Sequence, residues 1–132
     1  MGASLSIDES KRILLIRFEG VITDKVLLDG YRRMRLWYAA NGYCGNISDF
    51  SGVSSFEVTG AAVRGLASNT PLVPGNFVRI INAPQDEVYG MSRMFEMMGS
   101  ERGNRVDIVR NIEDAYGLAG IGGTEFRTID DY

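Results

Sequence analysis

The sequence contains no histidine, and its only cysteine is Cys44. The absence of histidine excludes Ser-His-Asp and Cys-His catalysis and removes a principal ligand of zinc and iron sites. A single cysteine allows neither an internal disulfide nor a CxxC redox pair. We therefore expect no resident metal and no cofactor. We also expect Cys44, which follows a helical pattern and begins a strand pattern, to be a small buried thiol.

The chain also lacks the concentrated positive charge that nucleic acid attracts. It has 14 Lys and Arg residues against 17 Asp and Glu residues, which gives a net charge of −3, and no Lys/Arg block occurs. We therefore expect no nucleic-acid partner. No apolar run approaches the roughly 18 residues of a membrane span, and the N-terminal residues lack the apolar core of a secretory signal. We expect a cytoplasmic protein without a membrane span.

The size and composition are those of one globular domain, with 132 residues of which 45% are hydrophobic. A β-branched apolar run from Ile13 to Ile16 predicts a central strand. The alternation around Leu5 and Ile7 predicts a shorter strand that pairs with it as a hairpin. Strand patterns then alternate with helical patterns of crossover length, which predicts mostly parallel pairing. The predicted fold is α/β, with the order ββαβαβαβα.

The C-terminal end of the chain has a different composition. We assign residues 1–117 to the domain and residues 118–132, which are glycine-rich and then acidic, to a tail. Such a tail is either mobile or ordered by a partner, and we expect partial order because Phe126 and Ile129 need burial. Removal of the chain after Gly120 is expected to leave a folded monomeric core with weakened self-association.

Two stretches resemble the STAS family, the anti-sigma factor antagonist (SpoIIAA-like) domains. One is "GVITD", residues 20–24, and the other is "ISDFSGVSSFEVTG", residues 47–60. In that family a strand ends in a hydrophobic-Asp-hydrophobic-Ser/Gly-Val pattern, which residues 47–53 match. In members of the family, the sequence Asp-Ser-Ser-Gly then begins a helix. This chain has Glu57, Val58, Thr59 and Gly60 at those positions. The resemblance implies a single SpoIIAA-like domain. The stretches "GMSRMFEMM" and "IEDAYG" are similar to an uncharacterised branch of the family, for which a hydrophobic-ligand role is implied.

The resemblance also implies a phosphoacceptor at Thr59, with Asp49, Ser51 and Glu57 as its neighbours. Switch members of the family carry a serine there, and a partner kinase phosphorylates it to block docking. A phosphate at a helix N-terminus adds about −1.5 to −2 charges beside backbone N–H groups. The alternative is that Thr59 is only a helix N-cap, which requires the same residue type at the same place.

The Asp49 side chain has two alternative roles. It follows a buried strand at the end where open α/β sheets place functional groups, and it could bind a metal together with Glu57. It could instead accept hydrogen bonds from backbone N–H groups of the residues that follow it.

The third predicted helix carries more apolar residues than one sheet face needs. Met94 and Met97 widen the stripe formed by Val88, Met91 and Phe95. The flexible thioethers of Met94 and Met97, and the indole of Trp37 at the edge of an apolar stripe, suit an adaptable apolar groove or a dimer interface. The alternative is ordinary core packing. The candidate residues for the groove or interface are Trp37, Tyr89, Met94 and Met97.

These patterns together predict a non-enzymatic, STAS-like regulatory or ligand-sensing domain that binds a protein partner or a small apolar ligand. One alternative is a phosphorylation-switched anti-sigma factor antagonist, whose partner is a kinase or an anti-sigma-like regulator. A further alternative is a small enzyme, which would depend on carboxylates such as Asp49 and Glu57 or on a bound cofactor. A homodimer is compatible with each of these functions.

Overall fold

A mixed six-stranded sheet with helices on both faces forms the described part of the chain. The computed structural model describes residues 2–100, 105–129 and 132, and the predicted α/β class is confirmed. The strands are β1 (Gly2–Asp8), β2 (Ile13–Thr23), β3 (Gly45–Glu57), β4 (Arg79–Asn82), β5 (Asp107–Val109) and β6 (Phe126–Ile129). The helices are α1 (Asp24–Asn41), α2 (Gly60–Ser68), α3 (Asp86–Gly99) and α4 (Ile112–Ala119). Among the described residues, none of these helices has the length and apolar composition needed to cross a bilayer.

The strands lie in the order β5-β4-β3-β2-β1-β6. The pairs from β2 to β5 are parallel, and α1, α2 and α3 provide the crossover connections that parallel neighbours require. The predicted β1–β2 hairpin is present. Because β1 is antiparallel to both β2 and β6, the sheet is mixed rather than wholly parallel.

The two faces of the sheet are covered unequally. Side chains alternate between faces along β2, so Leu14 and Ile16 pack with α1, α2 and α3, whereas Ile13 and Leu15 pack with α4. The first three crossovers all step across the sheet in the same direction. Right-handed connections therefore put all three helices on one face. The smaller core on the other face contains Ala115 of α4.

The strand β3 continues beyond Asp49, which the sequence predicted to follow the end of a buried strand. Its pairing with β4 ends at Asp49 and Asn82, but its pairing with β2 continues as far as Thr23 and Glu57. The register with β2 shifts between Arg17 and Glu19 and again between Gly20 and Val21, so β3 accommodates extra residues there. These irregularities break the alternation that marks a strand in a sequence.

The C-terminal segment, predicted as a tail, contributes to the sheet. The expected boundary at residue 117 falls inside α4, which ends at Gly120 in the left-handed conformation (φ 72°). The chain then reaches the far edge of the sheet, where β6 pairs with β1. Ile129 is 8% exposed in the larger core, and Phe126 packs against Tyr116 with ring centroids 6.2 Å apart. Truncation after Gly120 would therefore remove a core residue and uncover β1.

We predict that Ile129→Ala lowers the free energy of unfolding by about 2 kcal/mol, the low end for truncation of a buried aliphatic side chain, because the site is at the sheet edge. The control is Thr128→Ala, an exposed neighbour in the same strand, which should change it by less than about 0.5 kcal/mol. Urea denaturation of both variants measures the difference. Equal losses would show that β6 contributes backbone pairing but no core packing.

Candidate functional site

Thr59 is the N-cap of α2. Its Oγ1 accepts a hydrogen bond from the backbone N–H of Ala62 at 3.2 Å, which confirms the capping prediction. The same hydroxyl donates to Asp24 Oδ2 at 2.8 Å, and the Thr59 backbone N–H donates to Asp24 Oδ1 at 2.7 Å. Asp24 is the first residue of α1, so its carboxylate joins the N-termini of α1 and α2. We call this pair the Asp24–Thr59 clamp.

Two opposing electrostatic interactions would act on a negative charge at Thr59. Thr59 is exposed, and the backbone N–H groups of the first turn of α2 favour an anion there. The Asp24 carboxylate, within hydrogen-bonding distance, opposes one. Sequence reasoning missed Asp24, although the residue ends the "GVITD" stretch. The two partners are 35 positions apart, and only the fold brings them together.

Two of the residues expected beside Thr59, Asp49 and Ser51, are hydrogen-bonded to each other. Asp49 is 1% exposed, and its carboxylate accepts hydrogen bonds from Arg17 Nε at 3.2 Å, Asn82 Nδ2 at 3.0 Å and the Ser51 backbone N–H at 3.0 Å. Asp49 belongs to the α4 face of the sheet, whereas Thr59 opens α2 on the other face. The bond from Ser51 confirms that Asp49 accepts from the backbone that follows it.

Glu57 does not pair with Asp49. Its Oε2 accepts a hydrogen bond from Ser55 Oγ at 3.0 Å, and its side chain is exposed at the end of β3. The two carboxylates therefore form neither an acid–base pair nor a shared metal site. In the described ranges, no group of three or more Cys, Asp or Glu side chains is placed to hold a metal ion.

The four residues expected to form an apolar groove are dispersed. Trp37 is 5% exposed, and its ring contacts Tyr38 edge-on at 5.6 Å and lies 5.6 Å from the Arg12 guanidinium. These contacts are at the C-terminal end of α1, not at α3. Tyr89 is half-buried, with the Arg110 guanidinium 4.4 Å from its ring centroid.

Met94 and Met97 differ in how far their side chains are exposed. Met94 is half-buried and packs against the larger core, whereas Met97 is 70% exposed. The core alternative therefore fits Trp37 and Met94, and only Met97 is a surface residue of the kind a groove or interface would use.

An apolar pocket lies instead between α1, α2 and α3, and we call it the helix-face pocket. Its volume is about 40 Å³. Ser92 is its only polar residue apart from the Tyr31 hydroxyl. It is lined by Leu27, Tyr31, Phe50, Phe56, Val63, Leu66, Ile81, Met91, Ser92 and Phe95. The sequence placed Met91 and Phe95 in the apolar stripe of the third predicted helix, and nothing in their spacing indicates a space beside them.

A second, separate space of about 20 Å³ has two arginines in its lining. It shares Tyr31, Leu66 and Phe95 with the lining of the helix-face pocket and adds Arg35, Leu72 and Arg79. We call Tyr31, Arg35 and Arg79 the arginine end of this second space. The Arg79 guanidinium lies 5.8 Å from the Phe95 ring centroid, and Arg79 is 8% exposed.

The arginine end is electrostatically unusual because Arg79 is buried there, whereas Arg35 is exposed. Burial lowers the pKa of Arg79, and the positive charge of Arg35 lowers it further, while Tyr31 and Tyr38 raise it. Burial raises the pKa of Tyr31, whose hydroxyl is hydrogen-bonded to Ser48 Oγ at 3.1 Å. Arg79 also borders a cavity of about 450 Å³ on its other side, where Glu96, Arg105 and Asp107 give mixed charge.

A buried hydrogen-bond chain lies next to the arginine end. Tyr38 donates its hydroxyl proton to the Cys44 carbonyl at 3.0 Å and accepts from Asn46 Nδ2 at 3.0 Å. Cys44 is 2% exposed, as predicted, and burial raises the pKa of its thiol. A neutral, buried thiol is a poor nucleophile.

We predict that Thr59→Ala lowers the free energy of unfolding by about 1–2 kcal/mol, because the N-cap and the Asp24–Thr59 clamp are lost together. Thr59→Ser keeps the hydroxyl and is the matched control, so it should lose much less. Chemical denaturation measures both variants. If the serine variant is destabilised as much as the alanine variant, the methyl group rather than the hydroxyl is what matters.

The methionines allow a second comparison within one helix. Met97→Gln should change stability by less than about 0.5 kcal/mol because the side chain is exposed. Met94→Gln should cost at least about 1 kcal/mol because it places an amide against the apolar core. Thermal denaturation separates the two, and equal melting temperatures would contradict the assignment of Met94 to the core.

Comparison with known proteins provides no relative from which a function can be transferred. No family model matches the chain, and no curated protein matches it. The chemistry of the helix-face pocket and of the Asp24–Thr59 clamp is therefore the basis for a functional proposal.

Proposed function

We propose that the protein is a non-enzymatic, STAS-like ligand-sensing domain of the cytoplasm that binds a small apolar ligand in the helix-face pocket. The observation that carries this proposal is an apolar space between three helices and the sheet. The resemblance to the STAS family supports it. So does the order of elements, in which a hairpin precedes strands and helices that alternate with parallel pairing.

Physical reasons favour an apolar occupant. The side chains around an empty space lose dispersion contacts that a close-packed interior would supply. A ligand that fills the space restores those contacts and removes its own apolar surface from water, at about 25 cal/mol per Å². A water molecule in the pocket would form few hydrogen bonds, since it needs several polar partners and the lining offers few.

The position of the pocket also suits signalling to a protein partner. Leu27 and Tyr31 belong to α1, Val63 and Leu66 to α2, and Phe95 to α3, so an occupant contacts all three helices at once. A ligand that fits one arrangement of these helices better than another shifts the population toward it. A partner or a second copy of the chain that binds the helical face would sense that shift.

A second candidate function is a phosphorylation switch at Thr59, which the Asp24–Thr59 clamp favours. A phosphate on Oγ1 would replace the hydrogen bond to Asp24 with repulsion between two anions. The N-termini of α1 and α2 would then separate, and both helices line the helix-face pocket. Phosphorylation and ligand binding would in this way act on the same pair of helices. The enzyme alternative is less well supported, because Asp49 and Glu57 are not brought together.

A substitution that fills the pocket with a larger side chain tests the proposed function. Met91→Trp should place an indole in the helix-face pocket, and Met97→Trp makes the same change at an exposed position of the same helix. We expect the wild type and Met97→Trp to bind xenon, an apolar probe small enough for a space of about 40 Å³, with the resonances of the pocket residues shifting in NMR spectra recorded under xenon pressure. Met91→Trp should bind it at least about tenfold more weakly, which corresponds to about 1.4 kcal/mol.

Native mass spectrometry of the same three proteins shows the number of subunits and any small molecule that co-purifies. Retention of xenon binding in a folded Met91→Trp protein would refute the pocket as the binding site. Absence of xenon binding in the wild type would remove the ligand-sensing proposal and leave the switch at Thr59 as the candidate.

A further inference from the structure

We infer that the ligand of the helix-face pocket is a short-chain alcohol of about three non-hydrogen atoms, whose hydroxyl group pairs with Ser92 and whose carbon atoms contact the apolar side chains of the lining. This inference rests on the proposed function, because it specifies the chemical class of the ligand for the same pocket. It comes from one unpaired hydroxyl group in a lining that is almost entirely apolar.

Ser92 provides the polar group that the ligand would contact. It lies in the middle of α3, borders the pocket and is 7% exposed. A serine within a helix often donates to the backbone carbonyl four residues earlier, which here belongs to Val88. Within the part of the chain that the structure describes, the Ser92 hydroxyl forms neither that hydrogen bond nor any other. A buried hydroxyl without a partner costs free energy, which a hydrogen bond to a ligand would recover.

The rest of the lining requires a neutral ligand. Tyr31 has the other hydroxyl group, and it is already hydrogen-bonded to Ser48 Oγ at 3.1 Å. The described residues around the pocket include no charged side chain. Because burial of a charge without a partner is very unfavourable, an ionised ligand is excluded. The Ser92 hydroxyl can both donate and accept a hydrogen bond, and so can the hydroxyl group of an alcohol.

The volume of the pocket limits the size of the ligand. About 40 Å³ corresponds to roughly three water-sized groups, at roughly 10–15 Å³ for each. Two carbon atoms and one oxygen atom fit this space, so ethanol is a suitable probe, whereas 1-butanol is too large. Affinity per non-hydrogen atom has an upper limit, so a ligand of this size binds with a dissociation constant of about a millimolar at best.

The first experiment compares ethanol with 1-butanol on the wild type by NMR titration. A flat apolar surface binds 1-butanol more tightly, because each additional methylene group buries more area. The pocket should reverse this order, because additional methylene groups would force its lining apart. We expect ethanol to shift the resonances of the pocket residues and to bind at least about fivefold more tightly than 1-butanol.

The second experiment separates the hydroxyl group from the space beside it. Ser92→Ala removes Oγ and leaves the space apolar. Ser100→Ala removes an exposed hydroxyl immediately after the same helix and is the matched control. We expect Ser92→Ala to bind ethanol about fivefold more weakly than the wild type, the effect of one hydrogen bond. It should bind xenon at least as tightly as the wild type, because xenon requires only apolar contacts. Ser100→Ala should match the wild type with both probes.

The stability of Ser92→Ala provides a measurement that involves no ligand. Its melting temperature should not fall below that of the wild type, because the hydroxyl has no partner to lose. A clear fall would show that the hydroxyl is paired within the protein, which overturns the inference.

The binding results overturn the inference in ways that can be distinguished. Tighter binding of 1-butanol than of ethanol by the wild type shows that the alcohols bind an open apolar surface. Because that comparison uses no variant, it decides the matter even if Ser92→Ala does not fold. Equal ethanol binding by the wild type and Ser92→Ala shows that Ser92 does not pair with the ligand. Binding of xenon without ethanol leaves the proposed function intact, whereas binding of neither removes it as well.

Discussion

The buried carboxylate of Asp49 marks the point at which the sheet divides. It accepts hydrogen bonds from Arg17 of β2, Asn82 of β4 and the Ser51 backbone of its own strand. A carboxylate that is 1% exposed is tolerated only when such donors satisfy it. These bonds join the middle of β2 and of β3 to the carboxyl end of β4. Beyond Asp49, β3 separates from β4 and continues with β2 alone, which brings Phe50 and Phe56 under the helices. The helix-face pocket depends on this separation.

The sequence predicted those parts of the fold that local patterns encode. The hairpin follows from the alternation in β1 and the apolar run in β2, and the start of α2 follows from a threonine at the N-cap. The continuation of β3 beyond Asp49 was not predicted, because the shifts of register with β2 interrupt the alternation of the strand. The strand β6 could not be predicted as part of the sheet, since its partner β1 lies more than a hundred residues earlier.

The candidate site was harder to predict because it consists of contacts between distant segments. Asp24 and Thr59 meet only because α1 and α2 start at the same end of the sheet. Trp37 was expected at a groove because it lies at the edge of an apolar stripe, but a wide core on this face buries the flank of the helix as well. Arg79 carried no signal at all. A single arginine in an apolar strand does not reveal which cavity its guanidinium borders.

The strand β6 has a consequence for how molecules of this protein meet one another. The outermost strands, β5 and β6, contain only three and four residues. Without β6, the seven-residue strand β1 would present its backbone donors and acceptors to solvent along one side. An uncovered strand of that length can pair with the same strand of another molecule and initiate aggregation. The final strand therefore gives the sheet a short border that is a poor template for further strands, and the exposed ion pair of Arg127 with Glu9 would lose water contacts if a second copy docked there.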